Sequence, residues 1–505
     1  MKNTRFLSLL LLGAMLVPSL TACGGGGTAE AADTGDAGGA NNVQATAAET
    51  TAAETDRSET KDSLPALDFK GATVGVNFPE SHGGKADQID WATEDTGDVV
   101  ASAVYQRQIS VEERLNVKFD IDWSLTTKNY KTTVQTDITS GAGTWDLLYG
   151  PQSIAATLVT EGMYLDLAKA KYIDYAQPWW FAEVLDEMTV GGKRFMLTGD
   201  VSLSMLSYMS CYYFNKEQWE SVTGKKDTDL YELVLAGNWT YDKLGEYCKM
   251  SYKDTNGNGA YDDTDTYGTG VVCSSTCDHM TFDSGLKFTS FDNKGVPSLA
   301  MNNERTILFT EKMCDLFYNN PGVRIFPATQ DVLRITIPNK LMNNELTFMS
   351  GYYYSSTLLR DMKADYGIIP YPKLDDNVKQ YYSLFHNSTQ LISIPVTCKQ
   401  TDTVTACIEA IAAENYRTVT PAYYEVALKS KYTRDEISGQ IIDLIRDGMT
   451  TDFVYIYAAV LQNAGLVMRD LAAKNDKNFA SFYKTNESAY QSKLADLIAA
   501  FQKVE

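Results

Sequence analysis

The hydrophobic period switches repeatedly between Ala72 and Glu161, and this switching constrains the fold more than any other feature of the chain. Residues 72–78 alternate as a first strand does. Residues 101–115 set Ala101, Val104, Val111 and Leu115 near one helical face. Val117, Phe119, Ile121 and Trp123 then alternate strictly with Lys118, Asp120 and Asp122, which predicts a strand. The run Trp145-Asp-Leu-Leu-Tyr-Gly150 is short, apolar and closed by glycine, as a buried strand is, and residues 154–161 follow as a helix. Strand, helix, strand, helix in that order predicts an α/β fold with a mainly parallel sheet.

Later segments continue the mixture. Residues 208–214, 346–354 and 366–369 read as strands. Thr240 is placed as an N-cap ahead of the stripe Leu244, Tyr247 and Cys248. Val404, Cys407, Ile408 and Ile411 form an i, i+3, i+4, i+7 face. The last hundred residues read as helices over 440–446, 453–472 and 488–504. No internal repeat is present.

The N-terminus reads as a targeting segment. Lys2 and Arg5 precede an apolar run over 6–20, too short and too one-sided in charge to read first as a span. Leu20-Thr-Ala-Cys23 resembles a bacterial lipobox, which implies cleavage after residue 22 and a lipid on the Cys23 sulfur. Residues 24–63 hold 8 acids, 2 bases and no aromatic, so they cannot bury enough surface to order themselves. As a flexible leash they would reach roughly 35 Å, more with charge repulsion. No later run is long enough to span a membrane. The expected location is therefore extracytoplasmic, anchored by lipid to the outer face of the bacterial cell membrane.

The whole chain of 505 residues carries a net charge of −21. That balance argues against nucleic acid and against docking on anionic head groups. Eight Cys are too few for a disulfide scaffold. Cys273 and Cys277 could bridge locally; scattered, mostly reduced thiols are expected elsewhere.

In this order, several short motifs resemble those of the large extracellular solute-binding proteins of ABC importers, the family that includes maltose-binding protein. They are the run 145–150 with its sequel 158–167, the hairpin Val190-Gly-Gly-Lys-Arg-Phe195, Tyr213-Phe-Asn-Lys-Glu217, Asn238-Trp-Thr-Tyr-Asp-Lys243 and Tyr366-Gly-Ile-Ile-Pro-Tyr-Pro372. The resemblance covers 64–505. It implies a two-lobed, periplasmic-binding-protein-like (type II) fold with mixed, mainly parallel sheets and hinge crossovers. Carried over, one lobe spans 64–212 and 366–420, and the other spans 213–365 and 421–505. It implies capture of a solute, a carbohydrate in the first instance, between closing lobes, and delivery to ABC permease subunits. The protein is expected to be a monomer and not an enzyme. A glycoside hydrolase using two carboxylates, or a surface glycan-binding lipoprotein without a transporter, are the alternatives.

Sugars present flat C–H faces on which aromatic rings stack. The candidate ligand residues are Trp91 and Asp95 in the loop after the first strand, Gln152 past a strand end, Trp179 and Trp180, Tyr353, and Tyr455. One of Trp179 and Trp180 is expected to pack and the other to face the cleft. The resemblance places Tyr353 at the family's ligand-facing aromatic. His82, His279 and His386 show no zinc spacing. Asp254, Asn256, Asn258, Ala260, Asp262 and Asp265 occupy positions 1, 3, 5, 7, 9 and 12 of a calcium loop, with Gly259 at position 6. Asp stands where Glu is usual at position 12, and a strand replaces the exiting helix. Calcium there is expected to be structural.

Overall fold

The computed structural model describes residues 57–79, 90–424 and 436–503. Its strands are β1 (Ala72–Asn77), β2 (Val117–Asp122), β3 (Leu147–Pro151), β4 (Ser210–Asn215), β5 (Tyr267–Val272), β6 (Thr289–Phe291), β7 (Pro297–Leu299), β8 (Val323–Phe326), β9 (Leu346–Tyr352), β10 (Tyr366–Ile369), β11 (Ser383–Leu384), β12 (Gln390–Ser393) and β13 (Met449–Thr450). The first sheet has the order β12-β3-β1-β2, and the second β10-β4-β9-β5-β8. Both are mixed. β1 pairs in parallel with β2 and β3, while β12 runs antiparallel to β3. β5 pairs in parallel with β8 and β9, while β4 runs antiparallel to β9 and β10. This is the expected two-lobed α/β architecture, one sheet to a lobe.

Local chemistry explains the elements. Asp98 caps the helix Val99–Leu115 by accepting from the Val100 and Ala101 N–H groups, which would otherwise be orphaned. Thr240 caps Tyr241–Ser251, as its position predicts. That helix lies so close to β5 that a Cβ on Gly268 would sit 2.2 Å from the Cys248 Cα, so only glycine fits there. Val74, Val76, Leu147, Leu148 and Leu391 are fully buried in the first sheet, which explains the continuous apolar run at 145–150.

Three differences from the sequence reading have physical causes. Residues 57–63, read as part of the linker, are docked on the first lobe: Asp62 bridges Arg114 and Arg417 with its side chain 4% exposed. Two guanidiniums explain why this carboxylate orders a polar segment, and Arg114 holds its pKa below the usual range despite burial. The predicted return crossover at Tyr366 lies inside the second sheet, because β10 pairs with β4; the chain returns to the first sheet between Ile369 and Gln390. The helix predicted over 453–472 breaks into Phe453–Ile456 and Val467–Lys474. Gln462 and Asn463 adopt left-handed backbone between them. Gly465 there packs so tightly on Val454 and Tyr455 that a Cβ would meet backbone at 2.5 Å.

The crossings form a small hydrogen-bonded ribbon. Met209 bridges Phe385, and β11 pairs with β13. Buried Asp283 ties the strands together, accepting from the Ser210 hydroxyl and the Leu384 N–H. Burial holds its carboxyl well above the usual range. The helix Thr401–Glu414 packs on the first lobe, and Glu436–Asp447 packs on β10 of the second. The third crossing therefore falls between them; residues 425–435 are outside the described set. So are Cys23 with its lipobox and His82. Among the described residues no helix is long and apolar enough to cross a membrane.

Candidate functional site

A cavity of about 360 Å³ opens between the sheets. Its walls come from residues just beyond the C-terminal ends of four strands: Ser153 after β3, Ser274 and Ser275 after β5, Thr329 and Gln330 after β8, and Tyr352 and Tyr354 at the end of β9. Tyr208, before β4, and His386 to Ser388, before β12, complete it from the crossing segments. Open α/β sheets bind ligands at this edge because side chains from several strands converge there without disturbing the ladder.

The wall is aromatic. Tyr352 and Tyr354 stack at 5.6 Å with their planes 10° apart. Tyr208 meets Tyr354 edge-on at 5.3 Å and stacks on His386 at 5.6 Å. His279 Nε2 lies 3.1 Å from the Tyr352 hydroxyl, behind the wall. Burial, aided by His386 and Arg469, holds the His279 imidazole well below its ordinary pKa, so the ring is neutral. Arg469 reaches the cavity from the helix Val467–Lys474 and makes a two-pronged bond with Asp278. Burial pushes the Asp278 carboxyl up to about 6 against the pull of that guanidinium.

The cavity separates the candidate residues. Trp91 is core: it packs on Phe119 and Tyr149 under the Arg107 guanidinium. Asp95 is exposed and caps its own turn through the Gly97 N–H. Trp179 and Trp180 both pack, so neither faces the cleft. Their indole N–H groups donate to the two oxygens of Glu409 at 3.2 and 3.0 Å. Burial pushes Glu409 up to about 7. Tyr353 is fully buried against Tyr423 and Tyr424, on the opposite side of the chain from its two neighbours. Gln152 and Tyr455 sit one layer behind the wall. Gln152 is buried, with its Oε1 lacking a partner. The Tyr455 hydroxyl accepts from the N–H of Asn387, a lining residue.

The residues missed by sequence reasoning are Tyr208, Tyr352, Tyr354, Asn387, Arg334 and Arg469. The strand expected to run to residue 354 ends at Tyr352, and Tyr353–Leu359 form a 3-10 turn; that turn, which strand alternation does not foresee, decides which of the three rings faces the cavity. Nothing local marks Arg469.

The acidic loop stands apart, at the opposite end of β5 from the cavity. Asp254 accepts from the Gly257 and Gly259 N–H groups at 2.7 and 2.8 Å. Asn256 and Asn258 both reach Asp262. Asp265 is fully buried and turns back to the Thr255 N–H at 3.1 Å. The donors are all hard oxygens, which fit calcium and no softer ion. Among the described residues no three acidic, His or Cys side chains converge on one point. A cation would therefore also need the amide oxygens of Asn256 and Asn258 and the Ala260 carbonyl. Cys273 and Cys277 are free thiols, and the Cys277 thiol points to the Val272 carbonyl oxygen.

No family model and no curated protein matches the chain. Solved structures do. A cyclo/maltodextrin-binding protein in complex with maltotetraose superposes with a TM-score of 0.54 at 11% identity, covering 86% of this chain and 99% of that one. The galacto-N-biose/lacto-N-biose I-binding protein of an ABC transporter from Bifidobacterium longum, in complex with lacto-N-biose, gives 0.54 at 12% identity, with 86% and 98% covered. An ABC substrate-binding protein from Listeria monocytogenes in complex with cycloalternan gives 0.50 at 10% identity, with 86% and 99% covered. The fold is that of the two-lobed solute-binding proteins. At these identities the likeness concerns the backbone; the lining side chains are this chain's own.

Proposed function

We propose that this chain is the capture component of an ABC importer, that its solute is a carbohydrate, and that a lipid on Cys23 holds it at the outer face of the cell membrane. The observation that carries the reading is the tyrosine wall of Tyr208, Tyr352 and Tyr354 on a cavity shared by both sheets. Stacked and edge-on rings offer flat faces to sugar C–H groups, and the surrounding hydroxyls and amides suit sugar hydroxyls. The solved structures of the same fold, whose bound partners are maltotetraose, lacto-N-biose and cycloalternan, support the same class.

The mechanism needs no bond chemistry. A ligand that touches Ser153 and Asn387 on one side and Tyr352 on the other gains contacts only when the lobes approach. It therefore binds the closed state better and shifts the population towards it. The ribbon around Asp283 supplies the hinge. The closed form docks on the permease. None of the described lining residues is Asp or Glu, which supports binding over hydrolysis by a carboxylate pair. We also propose that the loop 254–265 takes calcium in a structural role, neutralising Asp254, Asp262 and Asp265 where β5 begins.

Calorimetric titration with neutral oligosaccharides tests the capture reading. Saturable 1:1 binding without product formation is expected. Turnover of the sugar would replace capture by hydrolysis.

A further inference from the structure

The cavity wall contradicts the charge of the molecule around it. The chain holds 65 Asp and Glu, yet the described lining residues include none of them and two arginines. Arg469 is neutralised by Asp278, although its Nη1 makes no hydrogen bond among the described residues. Arg334 is different. It is half-buried, it lines the cavity, and it forms no ion pair with a carboxylate among the described residues. Its one described contact is with the Tyr354 ring, 5.9 Å from the guanidinium.

The backbone presents Arg334 in an unusual way. Residues Val332–Thr336 form a π-helical turn, in which the Ile337 N–H bonds to the Val332 carbonyl, five residues back. The cause is in the sequence. Pro338 stands four residues after Arg334, and a proline has no N–H to give the Arg334 carbonyl, so an α-helical ladder cannot pass through. The wider turn takes its place, and such turns recur at functional sites. Leu333 and Arg334 in this turn and Pro338 after it all line the cavity.

We propose that the captured saccharide carries an acidic substituent, a carboxylate or a sulfate, and that Arg334 binds it. This deepens the carbohydrate reading and rests on it. Among the described residues Arg334 has no counter-ion and no acid lines the cavity, so an anionic ligand group completes the pair. The planar guanidinium offers paired N–H donors that match a carboxylate or sulfate edge. The tyrosines hold the sugar ring, and Arg334 selects for charge.

The test compares probes that differ only in charge. Trigalacturonate and its methyl ester distinguish the carboxylate arm; a sulfated galactose disaccharide and its desulfated form distinguish the sulfate arm. Maltotetraose and lacto-N-biose serve as neutral probes. The expected result is that one charged probe binds at least tenfold more tightly than its neutral twin, with the advantage shrinking as salt rises. In Arg334→Gln that advantage falls about ten- to a hundredfold, the range for a charge-assisted hydrogen bond, while Arg334→Lys, measured alongside, keeps part of it. Equal or tighter binding of the neutral twins overturns the acidic assignment and leaves carbohydrate capture standing. A preference for charge that survives in Arg334→Gln overturns the role of Arg334. Failure of every saccharide to bind overturns the carbohydrate reading and this inference with it.

Discussion

At the residue scale the tyrosine triplet separates packing from recognition within three positions. Tyr353 fills the core beside Tyr423 and Tyr424, while Tyr352 and Tyr354 form the cavity wall. Tyr353→Ala should cost about 3–5 kcal/mol of stability, the usual range for emptying an aromatic core site, measured by denaturant unfolding. Tyr352→Ala or Tyr354→Ala should instead weaken sugar binding by about 1 kcal/mol or more with a smaller loss of stability. The reverse pattern would return Tyr353 to the site. Glu409 gives a second residue-scale prediction. Its folded pKa, about 7, lies above the ordinary value of 4.5, so the folded state binds the extra proton between those limits. Its contribution to stability is therefore greatest below pH 4.5 and is lost as pH rises through 7. Glu409→Gln should flatten that part of the melting-temperature profile while keeping an oxygen for the indoles. An unchanged slope would mean that Glu409 titrates normally. The sequence made the rings legible but not their direction: the family likeness pointed to Tyr353, which opens the 3-10 turn Tyr353–Leu359 just after β9 and turns into the core.

Elements were easier to read than their ends. The strands at 72–77, 117–122 and 147–151 follow from alternation or from short apolar runs, and local pattern is enough for them. The return crossover was misplaced because a strand of the second sheet and a strand of the first look alike until their partners are known. The break after Ile456 is marked in the sequence only by Asn463 and Gly465, turn formers outweighed in the reading by the apolar stretch around them. The loop 254–265 gives the prediction at this scale. It enters β5 at Tyr267, whereas the cavity begins beyond Val272, a distance of about 20 Å along a strand. Calcium should raise the melting temperature, and Asp254→Ala with Asp265→Ala should abolish that rise while leaving sugar affinity nearly unchanged. A large affinity loss would tie the loop to the cavity. No response to calcium or chelator would leave the loop as an acidic turn held by its own amides.

At the scale of the whole molecule, two sheets meet at the ends of their strands, and the chain passes between them through a ribbon pinned by Asp283. Its carboxyl is fully buried and answers to one hydroxyl and one backbone N–H. Asp283→Ala should destabilise the protein by about 1–3 kcal/mol, since the Leu384 N–H would lose its partner in a dry site, and should broaden the range of lobe positions seen by small-angle scattering. A variant that melts normally and closes normally would remove Asp283 from the hinge. The measurement that bears most directly on the account is a thermal-shift screen of the protein against saccharides, neutral and acidic, with peptides and other polar solutes alongside. A ligand at a hundred times its dissociation constant adds about 2.7 kcal/mol to the folded state, which a melting curve resolves. The account predicts that one or a few saccharides raise the melting temperature and that Tyr352→Ala reduces the shift. A shift from peptides or other solutes, with every saccharide silent, would contradict it and leave only the fold.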